Sequence, residues 1–274
     1  MSLAALAAEG RLGPAHVHHA TIGSTNAAAF ERIERAEDSA AVLPLTGPAW
    51  WTTADRQTGG RGRRGREWVS PPGNLYATAV FALADGAGRA TLPLLAANAL
   101  ADAIEASCPA AATRVALKWP NDVLLDDRKV AGILLEVRRF RSGDYVAVGF
   151  GVNCASHPPA VAATSFADAG LALEPATLLP ALAAAFDRER AADAAGARAV
   201  ERWRARAKGM GRLIVVRLPN EERRGTFENM AADGRLVLRQ ENGERTLIAV
   251  GDVFFPSEKD EPMIEPRLER ASHA

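Results

Sequence analysis

Apolar positions along the first 208 residues recur in two patterns, short strand-like runs and longer helical repeats. The strand-like runs are rich in β-branched and aromatic residues, and they are His16–Ile22, Ala49–Ala54, Leu75–Leu83, Arg114–Lys118, Val130–Val137 and Tyr145–Val152. The helical stretches are Ala27–Glu37, Thr91–Ser107 and Ala176 to about Lys208, the last interrupted near Gly196. Residues 1–15 are typical of a leader or of a single short helical turn. Mixed strands and helices predict an α+β domain.

Three hairpins are predicted by their turn residues. The runs Val130–Val137 and Tyr145–Val152 are joined across Arg141–Asp144, which suits a turn centred on Ser142-Gly143. After Gly209 the pattern changes to short alternating strands with Asp-Gly and Asn-Gly turns between them; these strands are Leu213–Leu218, Gly225–Met230, Arg235–Arg239 and Arg245–Val250. We therefore predict a small β-barrel over residues 209–274, with a disordered tail from about 257, after a first domain over 1–208.

Composition and charge narrow the class of protein. The 274 residues are 48% apolar and 24% charged, and their formal net charge is zero, which argues against a general nucleic-acid binder. Cys108 and Cys154 form no disulfide framework or metal motif, so a reducing cytoplasm fits best. No apolar stretch approaches the ~20 residues of a membrane span, and the first 15 residues are too short for a helix-turn-helix. The chain is expected to be cytoplasmic and to bind neither membranes nor DNA.

A Gly/Arg loop over Gln57–Arg66 is the first candidate for chemistry. Four arginines within six residues (Arg61, Arg63, Arg64 and Arg66) can bind a triphosphate or a carboxylate, and the glycines let the backbone approach a ligand. Gly60, Gly62 and Gly65 also satisfy the spacing of a dinucleotide fingerprint, but Trp68 and two prolines lead into a strand and not into a helix. A solvated basic loop without function is the alternative.

Two further stretches carry polar groups at strand ends. Asn121 and Asp122 could ligate Mg²⁺ and its phosphates, Lys129 could neutralise charge between a carboxylate and an α-phosphate, and Gly132 allows close approach. In the second stretch, Gly149 and Gly151 precede Asn153, a polar residue that ends an apolar strand. An ordinary turn with a charged hairpin tip, and a strand with a bulge, are the plain alternatives.

In this order, the stretches resemble biotin protein ligases. That family has Ser-Thr-Asn at an early helix start, a GRGRRGR loop followed by Trp, a KWPND…RK…GIL segment and a GxGxN strand, which correspond here to Ser24–Asn26, Gly60–Trp68, Lys118–Leu134 and Gly149–Asn153. Asp233–Leu238 and Val250–Val253 are similar to the family's SH3-like C-terminal domain. The resemblance runs from about Ile22 to Phe255, and it departs from the family at Gly23, where an acidic residue is usual. It implies a mixed-sheet, class II synthetase-like catalytic domain followed by an SH3-like barrel.

The resemblance also implies a two-step reaction. Biotin reacts with ATP and Mg²⁺ to give biotinyl-5′-AMP, and a lysine of a biotin carboxyl carrier protein or domain then takes the biotinyl group; no tightly bound cofactor is expected. Carried over by position, the biotin-binding residues are Ser24, Thr25, Asn26, Gln57, Gly60, Arg61, Gly62, Arg63, Lys129 and Gly132. The nucleotide-binding residues are Arg63, Arg66, Trp68, Lys118, Asn121 and Asn153, and the catalytic ones are Arg61, Lys129 and Asp122, with Asp122 near Mg²⁺ or the incoming lysine.

Three other functions stay open at this point. A lipoate ligase or octanoyl/lipoyl transferase shares the implied fold. A lipoate tail requires an apolar pocket, whereas the ureido ring of biotin requires hydrogen-bonding partners such as Ser24, Thr25 and Gln57. A nucleic-acid module would need more basic and aromatic surface than this chain has. A protein that only binds biotin is the third. An exposed sheet edge could support a homodimer.

Overall fold

The computed structural model describes residues 2–9, 15–39, 49–83, 88–159, 162–192 and 196–256. Its strands lie in two sheets, here called the first and second sheet. The first has the strand order β1-β2-β3-β7-β6-β5-β4, in which β1 and β2 are parallel and every other neighbouring pair is antiparallel. Its strands are β1 His16–Ile22, β2 Trp50–Gln57, β3 Leu75–Ala82, β4 Val115–Lys118, β5 Asp122–Leu125, β6 Arg128–Phe140 and β7 Gly143–Val152. The mixed sheet is as predicted.

Helices cover both faces of the first sheet. They are α1 Leu3–Ala8, α2 Thr25–Asp38, α3 Gly88–Ser107, α4 Pro175–Ala192 and α5 Ala197–Ala205. Phe30 and Ile33 of α2 pack with Val80 and Tyr145 on one face, and α3 and α4 pack on the other face. The inner strand β3 is therefore buried along nearly its whole length, which explains why its sequence is apolar except for Thr78 and does not alternate. None of the helices within the described ranges is long and apolar enough to span a membrane.

The second sheet is antiparallel, with the strand order β11-β10-β9-β8-β12. Its strands are β8 Leu213–Arg217, β9 Glu222–Met230, β10 Leu236–Arg239, β11 Arg245–Ile248 and β12 Asp252–Phe254. Trp203 of α5 packs against Phe227 of β9, with ring centroids 6.4 Å apart, and the Trp119 indole N–H donates to the Gly234 carbonyl at 3.2 Å. These contacts attach the second sheet to α5 and to the turn after β4. A domain boundary between residues 208 and 209 remains a prediction, and the tail from about 257 lies outside the described residues.

One local prediction is wrong, and two strands were not predicted. Asp122–Leu125 and Asp252–Phe254 form strands, although only Asp122 had been assigned, to a turn, and the other residues to no element. The β6–β7 hairpin pairs Phe140 with Gly143, so its two turn residues are Arg141 and Ser142 and not Ser142 and Gly143. Gly143 follows the turn at φ +133°, a conformation that favours glycine and allows the strand to begin there.

The predicted interruption near Gly196 has a physical cause. Gly196 has φ +77° and precedes α5, and a Cβ there would lie 1.8 Å from the Thr91 hydroxyl oxygen of α3. Only glycine allows α5 to pack this closely against the start of α3.

Candidate active site

A cavity of about 620 Å³ opens between the two sheets. Its walls come from the start of α2, the Gly/Arg loop, the β4–β5 turn, β6, the end of β7 and β12, and every predicted site residue except Gly60 lines it. Gly60 lies behind the wall, where a Cβ would come within 2.3 Å of the Trp68 carbonyl oxygen. Segments far apart in the sequence thus converge on one cavity, although the ligand roles assigned to their residues remain predictions.

One wall is a network of neutral hydrogen-bonding groups. Gln57 accepts from the Thr25 backbone N–H at 2.8 Å and from its hydroxyl at 3.1 Å, and the Gln57 amide donates to Ser70 Oγ at 3.1 Å. These partners fix the orientation of the Gln57 amide. Ser24, which precedes α2, makes no side-chain hydrogen bond to the helix start. The Thr25 N–H is satisfied by Gln57, and the Ser24 hydroxyl, which caps no helix amide, lines the cavity.

Thr78 of β3 lies behind this wall and was missed by the sequence analysis. Its hydroxyl is fully buried and lies 2.8 Å from Thr25 Oγ1 and 2.7 Å from Asn26 Oδ1. Within the run LYATAVFA, a threonine is an ordinary strand former, so no sequence signal distinguished it. Thr78 thereby orients two polar residues at the start of α2.

Arg61 is held by a second residue that the sequence analysis missed, Glu136 of β6. The Arg61 Nη2 group lies 3.0 and 3.1 Å from the two carboxylate oxygens of Glu136, and Glu136 Oε2 also accepts from the Asn26 amide at 2.8 Å. The apolar run around Glu136 gave no hint of this contact, because the partners lie 75 and 110 residues away in the sequence.

The other arginines of the loop share one carboxylate, that of Asp252 on β12. Arg63, Arg64 and Arg66 approach it at 3.2, 3.5 and 3.1 Å. Arg63 also donates to the Gly251 carbonyl and, at 3.2 Å, to Asn121 Oδ1. Burial lowers the pKa of the Arg63 guanidinium, and the charge of Asp252 opposes that shift. The second sheet therefore supplies the counter-charge of the loop; the only sequence signal was that Asp252 falls within the Val250–Val253 motif.

Two lysines and Asp122 complete the charged side of the cavity. Lys129 Nζ lies 2.6 Å from Asp122 Oδ1 and 5.4 Å from the centre of the Trp68 ring. Burial lowers the pKa of Lys118, while the charge of Asp122 opposes the shift. Lys118 Nζ also lies 5.7 and 5.8 Å from the ring centres of Phe254 and Phe255. The cavity therefore has a neutral wall at one side and a cationic cluster at the other.

Three glycines form part of the floor. A Cβ on Gly151 would lie 2.6 Å from the Trp68 indole, one on Gly132 would lie 3.0 Å from the same ring, and one on Gly149 would lie 2.5 Å from Asn26 Oδ1. These glycines were predicted to let a ligand or another backbone approach closely; in the structure the groups that approach them are the side chains of Trp68 and Asn26. Asn153, at the end of β7, is buried and donates to the Thr164 carbonyl at 3.0 Å.

Asp122 and Asn121 are the residues to which the sequence analysis assigned Mg²⁺, and both line the cavity. Within the described ranges, no group of three or more His, Cys, Asp or Glu side chains could hold a metal ion by itself. One carboxylate and one amide oxygen suit Mg²⁺ only when phosphates of a substrate supply further oxygens.

Comparison with known proteins places these motifs in a family. Residues 41–153 match the Biotin/lipoate A/B protein ligase family, and residues 209–255 match the Biotin protein ligase C terminal domain. A biotin–[acetyl-CoA-carboxylase] ligase of Paracoccus denitrificans is 44% identical over 223 residues, which are 77% of this chain and 92% of the relative. The chain belongs to the biotin protein ligase family. The resemblance found in the sequence is thereby confirmed.

Other members of the family are also similar to this chain in sequence or in fold. A biotin–[acetyl-CoA-carboxylase] ligase of Mycobacterium tuberculosis is 31% identical over 250 residues, covering 85% of this chain and 86% of that one. The structure of the Aquifex aeolicus biotin protein ligase in complex with biotin and ATP superposes with a TM-score of 0.70 at 22% identity, over 87% of this chain and 97% of that one. The biotin protein ligase fold, with a mixed-sheet catalytic domain and an SH3-like C-terminal domain, is confirmed.

Proposed function

We propose that the protein is a biotin protein ligase, which activates biotin with ATP and transfers it to a lysine of a carrier domain. The observation that carries the proposal is the division of one cavity into a neutral hydrogen-bonding wall and a cationic cluster. Biotin has the matching division, with a neutral ureido ring at one end and a carboxylate at the other. Membership of the family supports the same activity.

The neutral wall is suited to the ureido ring. Ser24 and Thr25 line the cavity beside Gln57, whose amide is already oriented by Thr25 and Ser70. Because these groups are held in place before a ligand arrives, binding would cost little side-chain entropy. We infer that Ser24, Thr25, Asn26 and Gln57 bind the ureido end, and that Gly62 and Gly132, which line the cavity, allow close approach.

The cationic cluster is suited to the first chemical step. A carboxylate oxygen of biotin attacks the α-phosphorus of ATP, and pyrophosphate leaves with the electron pair of the broken P–O bond. Negative charge on both reactants and on the leaving group favours fixed cations at this place. We assign Arg61 and Lys129 to the carboxylate and α-phosphate, and Arg63, Arg66 and Lys118 to the phosphates, with Trp68, Asn121 and Asn153 beside the nucleotide.

The second step requires access for a protein lysine. The neutral amine attacks the acyl carbon of biotinyl-5′-AMP, AMP leaves through its phosphate oxygen, and the amine gives up a proton. Asp122 lies 2.6 Å from Lys129, and we infer that it orients the amine of the incoming lysine. We infer that Asp122, with Asn121, also contributes oxygens to Mg²⁺, which would neutralise phosphate charge when it is bound together with ATP.

The same assignment predicts the carrier protein and the cellular compartment of the reaction. We infer that the carrier is the biotin carboxyl carrier protein or domain of a carboxylase, and that the reaction takes place in the cytoplasm, where the buried, unpaired Cys108 and Cys154 would stay reduced. The outer strand β1 of the first sheet offers an edge through which a second copy could pair, whereas Leu117 of β4 is already bonded to the backbone of Arg206 and Lys208. Light scattering of the purified protein would measure that association.

The activity is tested by the intact mass of a carrier domain after incubation with the protein, biotin and Mg²⁺-ATP. We expect one biotinyl group on one lysine. Lys129→Ala should slow the transfer on the order of a hundredfold or more, because it removes a cation from the reacting carboxylate. Lys208→Ala is the matched control, since Lys208 pairs with Asp127 at 2.6 Å outside the cavity and its loss should leave the rate unchanged.

The same assay separates the alternatives. Transfer of lipoate to a lipoyl domain, with none of biotin, would assign the protein to the lipoate-specific branch of the superfamily. Binding of biotin without any transfer would leave a biotin-binding protein and contradict the catalytic assignment.

A further inference from the structure

Glu136 lies just outside the cavity and joins two residues that line it. Its carboxylate accepts a hydrogen bond from Asn26, at the start of α2, and contacts the Arg61 guanidinium of the Gly/Arg loop. Glu136 belongs to none of the sequence motifs and is not part of the cationic cluster. A carboxylate beside an arginine that should bind an anion could nevertheless either compete with that anion or hold the arginine in place for it.

The Asn26 side of this contact is rigid. Asn26 is buried, its Oδ1 lies 2.7 Å from the buried Thr78 hydroxyl, and its amide also donates to the Leu134 carbonyl at 3.4 Å. A Cβ on Gly149 would lie only 2.5 Å from Asn26 Oδ1, so the glycine is what allows the asparagine to reach these partners. Glu136 is therefore fixed relative to α2 and the first sheet.

The Arg61 side is different, because Arg61 belongs to a loop and its side chain is 48% exposed. Both contacts with Glu136 are made by a single nitrogen, Nη2. Among the described residues, Nε and Nη1 of Arg61 have no hydrogen-bond partner, and the side chain lines the cavity. An arginine has five N–H donors, so this contact through Nη2 leaves the Nε and Nη1 donors for a ligand anion.

We propose that Glu136 is a positioning residue, which holds the Arg61 guanidinium where it binds the carboxylate of biotin. The inference rests on the proposed function and adds to it the residue that prepares this end of the cavity. Holding a loop cation in place before the substrate arrives lowers the entropy lost on binding. Glu136 contacts Nη2 alone, so Nε and Nη1 remain as donors to a ligand carboxylate, and the two carboxylates need not exclude each other.

The test is Glu136→Gln, because glutamine keeps an oxygen that can accept from Asn26 and loses the charge that holds Arg61. We expect the Kd of biotin, measured by calorimetry without ATP, to rise about tenfold, as for loss of one charge-assisted contact. The KM of biotin should rise in parallel, and kcat at saturating biotin should change by less than about twofold. Binding of the alcohol analogue of biotin, which lacks the carboxylate, should be unchanged.

Two further variants make the result specific. Glu34→Gln removes an α2–β6 ion pair with Arg138 (3.2 Å) on the protein surface, and it should leave the Kd of biotin unchanged. In an Arg61→Ala background, Glu136→Gln should have no further effect, because Glu136 acts through Arg61. Thermal unfolding of each variant verifies that it is folded, and Glu136→Asp should recover part of the affinity.

Opposite outcomes are distinguishable. An unchanged or lower Kd of biotin in Glu136→Gln would overturn the positioning role, as would an equal loss for biotin and its alcohol analogue or an additive effect in the Arg61→Ala background. A wild-type protein that binds no biotin would instead overturn the proposed function, and the role of Glu136 with it.

Discussion

Single residues decide how closely the side chains around the cavity can pack. Gly149 and Gly151 are two residues apart on β7, so both lie on the face of the strand that lines the cavity. Gly149 makes room for Asn26 and Gly151 makes room for Trp68. The spacing GxGxN is therefore explained here by two side chains that approach the backbone from different segments.

Gly151→Ala tests this explanation, because the new methyl group would lie 2.6 Å from the Trp68 indole. The indole must move, and we expect unfolding in urea to show a loss of about 1–3 kcal/mol together with weaker nucleotide binding. Gly23→Ala is the control, since a Cβ there meets nothing within 4 Å. Unchanged stability and nucleotide affinity in Gly151→Ala would contradict the packing role of this glycine.

At the scale of elements, α3 is held to its neighbours by apolar packing and by one charged network. Most of α3 is buried. Asp102, one of the charged residues of α3, accepts from Arg202 and Arg206 at 2.8 and 3.0 Å. Arg202 also pairs with Glu189 of α4 at 2.5 Å, and the Glu189 side chain is only 3% exposed. Three helices thus share charges that are largely removed from water, where removal of one partner costs more than at the surface.

Glu189→Ala should destabilise the protein by about 3 kcal/mol, because it leaves Arg202 with Asp102 as its remaining carboxylate in a poorly hydrated place. Denaturation by guanidinium chloride would measure the change. Glu201→Ala, at an exposed position on α5, should change the stability by no more than about 0.5 kcal/mol. Equal effects of the two substitutions would show that the buried Glu189–Arg202 pair contributes no more to stability than an exposed residue does.

The sequence predicts elements better than it predicts contacts between them. The period of two in β8 to β11 and the apolar run of β3 predict those strands, because local patterning reports which faces are buried. β5 and β12 were missed, since they are short and follow turn-forming residues. Thr78, Glu136 and Asp252 were missed for another reason: each acts through a partner more than 50 residues away, and only the folded chain brings the two together.

For the whole molecule, Asp252 is the principal charged link between the Gly/Arg loop and the second sheet. Three arginines share its carboxylate, so Asp252→Asn should loosen the loop without removing any residue from it. We expect trypsin to cut after Arg63, Arg64 or Arg66 about three to ten times faster, because the loop opens more often. Peptide mass analysis over time would measure the rate.

Glu228→Gln is the control for this prediction. It removes a carboxylate of the second sheet that pairs with Arg245 at 2.6 Å and lies away from the loop. Loop cleavage at the wild-type rate in Asp252→Asn would show that the carboxylate does not restrain the loop.

The link through Asp252 also has a consequence for how the protein is made. Asp252 lies 188 residues after Arg64, on the last strand of the described chain. Because a chain is synthesised from its N-terminus and its domains fold in that order, the arginines leave the ribosome long before the carboxylate that neutralises them. A nascent chain could therefore already have the first sheet in place while the loop is still unrestrained. The cavity would be completed only when β12 pairs with β8, among the last events of biosynthesis.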